Sequence, residues 1–561
     1  MIADQHVKHN RRMQLFLALL FTTKLTALTA SSGGPRTPEQ IAVRFEAADL
    51  QIRVDPRRKR IDGDAALTFR AESPVPRLVV DLDRDLRVSA IDVDGVALKA
   101  GTWSNVEGRL VIPLAKALGA GDTTKVRIRY GGKPHVAKRA PWDGGFVWGK
   151  TAGGQPWVAT AVQGEGCDLF WPCIDHPLAE PESVELHITV PAPLVAASNG
   201  VATGMDEKNG WRTYHWRTRS PNTYAIALNI GPYALLSDEY RSRFGNTIPL
   251  RFYYLPEHEA KARELFAEFA PMIDFFERTI GPYPFAEEKM GIVETPHMGM
   301  EHQTINAYGN KFAKAPEGYD WLLQHEFAHE WFGNQLTNAD WDDMWLHEGF
   351  GSYMQPLYGR FLHGDRAYFA GLHRMRAGIL NKAPLVSGKP HSVEEVYNKD
   401  RGGPAGDIYT KGAYVLHTLR ELIGDEHFFR SVRRLVYGTD DPRPGNFHPR
   451  YASTREFAQI VNHVTGRDYG WFFDAYVYTA ALPDLQTSRD ASGLTLTWKT
   501  PNDKPFPMPV EVRVGDRVET LAMTGGRGHL ALPDGASYTI DPGSKLLRRE
   551  PHIEAYQKYK K

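Results

Sequence analysis

The stretch "HEFAHEW" (325–331) sets His325 and His329 four positions apart, with Glu326 directly after the first. At that spacing two helical side chains share a face, so both imidazoles can reach one ion. Glu326 is rotated about 100° around the helix from His325, which suits a general base better than a ligand. With 21 His in 561 residues, chance alone produces His-Glu-x-x-His in roughly one such sequence in twenty. The surroundings must therefore decide. A catalytic zinc needs a third protein ligand and a position left for water. "WDDMWLHEGFGSYM" (341–354) supplies Glu348, nineteen positions after His329, on a helix expected to lie antiparallel to the first. His347, its neighbour, faces elsewhere on that helix and is expected to be supporting or exposed.

The elements that must position these residues change character along the chain. From about 40 to 235, "RLVVDLDRDLRVSAIDVDG" and "ESVELHITVP" alternate apolar and polar residues, with turns about every ten residues. This predicts a large antiparallel β domain. Residues 257–280 then place Leu265, Phe266, Phe269, Ile273 and Phe276 on one helical face, with a kink expected at Pro271. Further helices are predicted at about 319–336, 345–362, 408–424 and 454–464. After about 480 the pattern returns to strands, as in "SGLTLTWKT" and "PVEVRVGDRVETLAMT". The expected fold is multidomain α+β: a leader over 1–30, an antiparallel β domain over 31–236, a mainly helical catalytic domain over 237–480, and a small β-sandwich over 481–561.

The whole chain bounds the function. Lys plus Arg is 67 and Asp plus Glu is 67, so no electrostatic case exists for nucleic acid or an anionic membrane. Two cysteines, Cys167 and Cys173, exclude a thiolate zinc cluster. They read as buried small hydrophobes, or as a pair if the compartment is oxidising. The N-terminus carries Lys8, Arg11 and Arg12, then an apolar run from Met13 to Phe21, then small residues ending at Ala30. That is the order of a secretory signal, and export to a periplasmic or extracellular space is expected. No later stretch reads as transmembrane, and no integral membrane partner is implied.

The motifs together resemble the gluzincin zinc aminopeptidases, the aminopeptidase N and leukotriene hydrolase-like metallopeptidases. "HEFAHEWFGN" and "WLHEGF" carry the metal motif. "PHMGMEHQT" (296–304) resembles the family's Gly-x-Met-Glu-Asn substrate strand. "IYTKGAYVL" (408–416) resembles its Tyr-x-Lys-Gly motif, and "QGEGCDLFWPCIDHP" (163–177) its Pro-Cys-x-Asp-x-Pro segment. The similarity runs from roughly 45 to 480, in the family's order, and implies a thermolysin-like catalytic domain.

The resemblance implies roles. His325, His329 and Glu348 match ligands of one zinc per chain, and Glu326 the general base. Glu301, on the strand with Gly299 and Met300, matches the carboxylate that grips a substrate's α-amine. Gln163 falls where a residue shares that task, with Glu165 as the fallback. Tyr409 matches the tyrosine that stabilises a tetrahedral intermediate, with Tyr414 as its natural control. The implied activity is hydrolysis of the N-terminal residue from peptides with a free amine. A zinc endopeptidase, an epoxide hydrolase on the same site, and a non-catalytic exported scaffold are the alternatives. Met298 and His302 stand where the family has Gly and Asn, so the pocket for the first side chain is expected to differ. Too few residues follow 480 for the family's large C-terminal helical domain, so a more open site, or one closed by a partner subunit, is expected.

Overall fold

The computed structural model describes residues 32–559, apart from 446 and 502. The expected leader lies outside the described residues. In the amino-terminal domain, Val43–Asp55 turns Phe45, Ala48, Leu50, Ile52 and Val54 inward and its polar residues outward. It lies near the middle of an eight-stranded sheet that runs Val201–Lys208, Trp211–Arg219, Ser183–Pro191, Val43–Asp55, Arg60–Ala71, Thr123–Gly132, Arg87–Val93, Val96–Ala97. One pairing departs from the antiparallel expectation. Val43–Asp55 and Ser183–Pro191 run parallel, with Leu50 opposite Leu186. A parallel pair needs a long crossover, and here much of the domain lies between the two strands.

Two smaller sheets pack with the large one. In one of them Pro156–Ala161 lies between Gly145–Lys150 and Asn229–Gly231. Just beyond Pro156–Ala161, Cys167 and Cys173 form a disulfide with Cα atoms 6.4 Å apart. Of the two readings open from the sequence, the structure has the pair. Both are fully buried as expected, but the tight turn at Cys167–Leu169 brings them within bonding reach, which composition alone does not reveal.

The chain enters the sheet of the catalytic domain at Ala234–Arg241. That five-stranded sheet ends in the short edge strand Gly299–Met300, antiparallel to Asn306–Tyr308 with Met300 opposite Ala307. The expected helix over 257–280 is two helices, Glu259–Phe266 and Phe269–Thr279. The break precedes Pro271, which then sits in a first turn where its missing N–H costs nothing. The helix expected over 319–336 is shorter, Trp321–His329. Beyond it, Asn334 N–H reaches back to the His329 carbonyl, and Gln335 N–H to that of Glu330. These five-residue closures end the helix, while Trp331, Phe332 and Leu336 stay buried. The helices Trp345–His363, Asp407–Ile423 and Thr454–Thr465 lie where predicted.

The C-terminal region is two three-stranded sheets, one centred on Gly493–Lys499 and the other on Val510–Val514. A final helix, Pro551–Tyr559, was not anticipated. Gln557 Nε2 donates to the Ala377 and Ile379 carbonyls, which ties that helix to the catalytic domain. Among the described residues no helix is long and apolar enough to cross a membrane.

Candidate active site

The His325 helix starts at a firm cap. The Asp320 carboxylate accepts from the amides of Leu322 and Leu323 at 3.1 and 3.0 Å. One and a half turns on, His325 and His329 face the helix Trp345–His363. The Nε2 atoms of the two histidines are 3.2 Å apart, and Glu348 Oε2 lies 3.4 Å from His325 Nε2 and 3.3 Å from His329 Nε2. A tetrahedral zinc with bonds of about 2.0–2.1 Å sets its donors about 3.3 Å apart. The three atoms form a near-equilateral triangle of that size. Glu348 Oε2 is buried and accepts no hydrogen bond, an arrangement that is costly unless a cation takes the lone pair. The residues therefore fit the ion.

The supports explain why this triangle forms. His329 Nδ1 lies 2.7 Å from the Phe332 carbonyl, so its N–H donates there and the Nε2 lone pair faces the cradle. Gly351 leaves room above both rings, since a Cβ there would stand 3.2 Å from His329 Cε1. The helix Trp345–His363 crosses Asp407–Ile423 at Gly349 and Gly412, where a Cβ on Gly412 would stand 2.9 Å from Gly349 Cα. This close crossing brings Tyr409 to Glu348. The Tyr409 hydroxyl is 2.9 Å from Glu348 Oε1. Lys411, in the same motif, points away and donates to the Thr479 and Ala480 carbonyls.

Glu301 lies across the cavity. Its Oε1 accepts from Gln163 Nε2 at 2.6 Å and from the Tyr224 hydroxyl at 2.9 Å. Gln163, not Glu165, reaches it. Donor atoms of Glu301, Glu326 and His329 all lie within 4.8 Å of one another. Burial pushes the Glu301 and Glu326 carboxyls above their usual range, against the pull of His329. Gly299 is required by close approach: a Cβ there would stand 2.5 Å from Glu326 Oε1. Glu330 holds the loop after Glu301 from behind, accepting from Thr304 N at 2.8 Å and Asn306 Nδ2 at 2.9 Å.

Gln163, Gly299, Met300, Glu301, His325, Glu326, His329, Glu348 and Tyr409 thus line one cavity of about 460 Å³. His347 is buried rather than exposed, and its Nε2 accepts from the Asn338 amide at 3.0 Å. His302 is fully buried and neither ring nitrogen has a hydrogen-bond partner; nothing in the structure explains that choice of residue. Two site residues escaped sequence reasoning. Tyr224 sits in a short turn at Thr223–Ala225 with no motif to mark it. The Tyr397 hydroxyl is 3.1 Å from both Glu348 Oε1 and the Tyr409 hydroxyl. Its helix, Val393–Tyr397, begins with a Ser392–Glu395 capping box that is legible in "HSVEEVY". The box marks the helix but not where its last residue points.

Comparison with known proteins agrees with this geometry. Residues 45–224 match the Peptidase M1 N-terminal domain, and residues 267–476 match the Peptidase family M1 domain. The chain is 22% identical over 375 residues to Tricorn protease-interacting factor F2 of Thermoplasma volcanium, covering 63% of this chain and 46% of that protein. It is 25% identical over 378 residues to leucine aminopeptidase 2 of Ajellomyces capsulatus, covering 64% and 58%. The chain thus spans about half the length of these curated relatives. A solved M1 zinc metallopeptidase from Deinococcus radiodurans, a mutant bound to a Tyr-Ser-Ala substrate, superposes with a TM-score of 0.64 at 26% identity. That match covers 79% of this chain and 95% of the other. Matched in both its amino-terminal and its catalytic regions, and carrying the metal motif within the second, the chain belongs to the Peptidase M1 family.

Proposed function

We propose that this protein is a zinc-dependent aminopeptidase that hydrolyses the N-terminal residue from peptides, with His325, His329 and Glu348 as ligands of one zinc. The observation that carries this reading is the 4.8 Å span of Glu301, Glu326 and His329. An α-ammonium is two bonds, about 2.5 Å, from the carbonyl carbon of its own residue. An amine held at Glu301 therefore presents the first peptide bond, and no later one, to Glu326 and the cradle. An internal peptide unit has no cation to offer that carboxylate. The relatives named as aminopeptidases support the same reading.

Each side chain then has a task. Gln163 and Tyr224 fix the Glu301 carboxylate, which pairs with the ammonium. Zinc, when bound, supplies Lewis acidity that makes water nucleophilic near neutral pH and polarises the carbonyl. Glu326 accepts a proton from the attacking water; the water oxygen bonds the carbonyl carbon, the C–N bond breaks, and Glu326 returns the proton to the leaving nitrogen. Tyr409 turns its hydroxyl from Glu348 to the oxyanion that develops. Tyr397, bonded to the same Glu348 oxygen, keeps that oxygen satisfied meanwhile.

The test is mass spectrometry of a defined peptide during digestion. Stepwise loss of single residues from the N-terminus, abolished by excess chelator and restored by zinc, is expected. Internal fragments, or cleavage indifferent to chelator, would overturn the reading. The Cys167–Cys173 disulfide and the basic-then-apolar leader support an exported enzyme. Cell fractionation tests that, and a purely cytosolic protein would contradict it.

A further inference from the structure

The cavity that holds Glu301 has one wall that these catalytic tasks do not use. It is formed by Pro141 and Trp142, from a loop of the amino-terminal domain, and by Met298, just ahead of the Glu301 strand. Trp142 is 64% exposed and Met298 38% exposed. Large apolar side chains left in water beside a cleft mark a place where something apolar is bound.

The loop that presents Trp142 is held firmly. The Asp143 carboxylate accepts from the amides of Lys138 at 2.8 Å and Arg139 at 2.6 Å, and the Trp142 amide donates to the Arg139 carbonyl at 3.0 Å. Gly164, the neighbour of Gln163, admits the loop, since a Cβ there would stand 3.3 Å from the Trp142 carbonyl oxygen. A fixed turn therefore holds the indole beside the amine anchor instead of packing it into a core.

A second cavity, of about 530 Å³, also borders His325 and Tyr409 and is lined by Tyr319, Gln355 and Met375. Glu301 does not line it, so it suits the departing peptide. The first side chain branches from the Cα between the anchored amine and the attacked carbonyl. The cavity that holds the anchor, and so receives it, counts Trp142 and Met298 among its lining. Arg139, exposed at the same rim, adds positive charge that opposes a cationic side chain there.

We infer that Trp142 and Met298 form the receptor for the substrate's first side chain and select an apolar, above all aromatic, first residue. This rests on the aminopeptidase reading. An indole offers a flat face for stacking, and the flexible thioether adapts to side chains of different shape. One methylene more or less in such a pocket discriminates by roughly 10- to 200-fold.

The experiment measures kcat/KM for aminoacyl-fluorophore substrates that begin with Ala, Leu, Phe, Lys or Glu. It compares the zinc-loaded enzyme with Trp142→Ala and Met298→Ala. The native enzyme should favour Phe and Leu over Ala by about tenfold or more, with Lys and Glu below Ala. Either variant should lower the Phe-to-Ala ratio, and Trp142→Ala should bring it near one. A ratio unchanged in both variants would overturn the inference. So would a native preference for Lys, or for Glu, the latter making Arg139 the selector. Each of those outcomes leaves the aminopeptidase reading standing, whereas no cleavage of any of the five substrates would overturn both.

Discussion

The metal cradle and the amine anchor share one cavity but are assembled over different lengths of chain. The cradle takes its donors from His325, His329 and Glu348, within two dozen residues and on two consecutive helices, Trp321–His329 and Trp345–His363. The anchor is Glu301 held by Gln163 and Tyr224, which lie 138 and 77 residues away. The cradle is fixed by contacts within the catalytic domain: the Phe332 carbonyl on His329 and the glycine crossing of 349 on 412. The anchor exists only because the amino-terminal domain docks against the edge strand Gly299–Met300. On the proposed reading, the chemistry of bond cleavage is local and the restriction to a chain end is a product of domain assembly. The two should fail separately.

The largest effect should come from the cradle. His329→Ala should drop activity to background and zinc content well below one per chain, as measured by elemental analysis. A variant that keeps zinc and activity would break the ligand assignment. Glu326→Gln should come next and should separate the two properties, keeping zinc while kcat falls on the order of 10²-fold or more. Loss of zinc in this variant would mean that Glu326 is a ligand and not the base.

Tyr409→Phe removes one hydroxyl from Glu348 Oε1 and from the developing oxyanion. The expected loss is about 3 kcal/mol, or roughly 10²-fold, carried mainly by kcat. Tyr414→Phe is the control. Its hydroxyl faces the Ser544 carbonyl, 3.5 Å away in the C-terminal region, so kcat should not change. Equal losses in both would point to stability, which a melting curve would detect. The smallest effect should be at the anchor's support. Tyr224→Phe deletes one hydrogen bond to a buried carboxylate and should raise KM for free-amine peptides by about tenfold, with kcat and zinc content nearly unchanged. A change confined to kcat would contradict the positioning role.

The same contrast explains what could be read from the sequence. The four-residue spacing of His-Glu-x-x-His is helical geometry, and Glu348 sits in the next helical stretch, so residue types and spacing were enough to propose the cradle. Alternation gave the β domain and the terminal sandwich for the same reason. The parallel pairing of Val43–Asp55 with Ser183–Pro191 has no signal in local alternation, because register across a crossover is set by the whole domain. Glu301 and Gln163 were legible only through resemblance to a family. Tyr224 and Tyr397 were not legible at all, since a lone tyrosine in a turn or at the end of a short helix looks like any core tyrosine. The Cys167–Cys173 pair was left open because burial and bonding favour the same residue type. His329 shows the opposite limit. Its helix was expected to run on to 336, yet the turn that ends it supplies the Phe332 carbonyl that orients the ring.

The central claim is that Glu301 converts a general zinc peptidase centre into one confined to the chain end. The most direct measurement is kcat/KM on one short peptide in two forms, with a free N-terminus and N-acetylated, for the native enzyme and for Glu301→Gln, with zinc content determined for each. The native enzyme should favour the free amine by on the order of 10²-fold or more. Glu301→Gln should lower that preference at least tenfold, about 1.4 kcal/mol, with zinc retained. Equal cleavage of both peptides by the native enzyme, or a preference that survives the substitution intact, would contradict it.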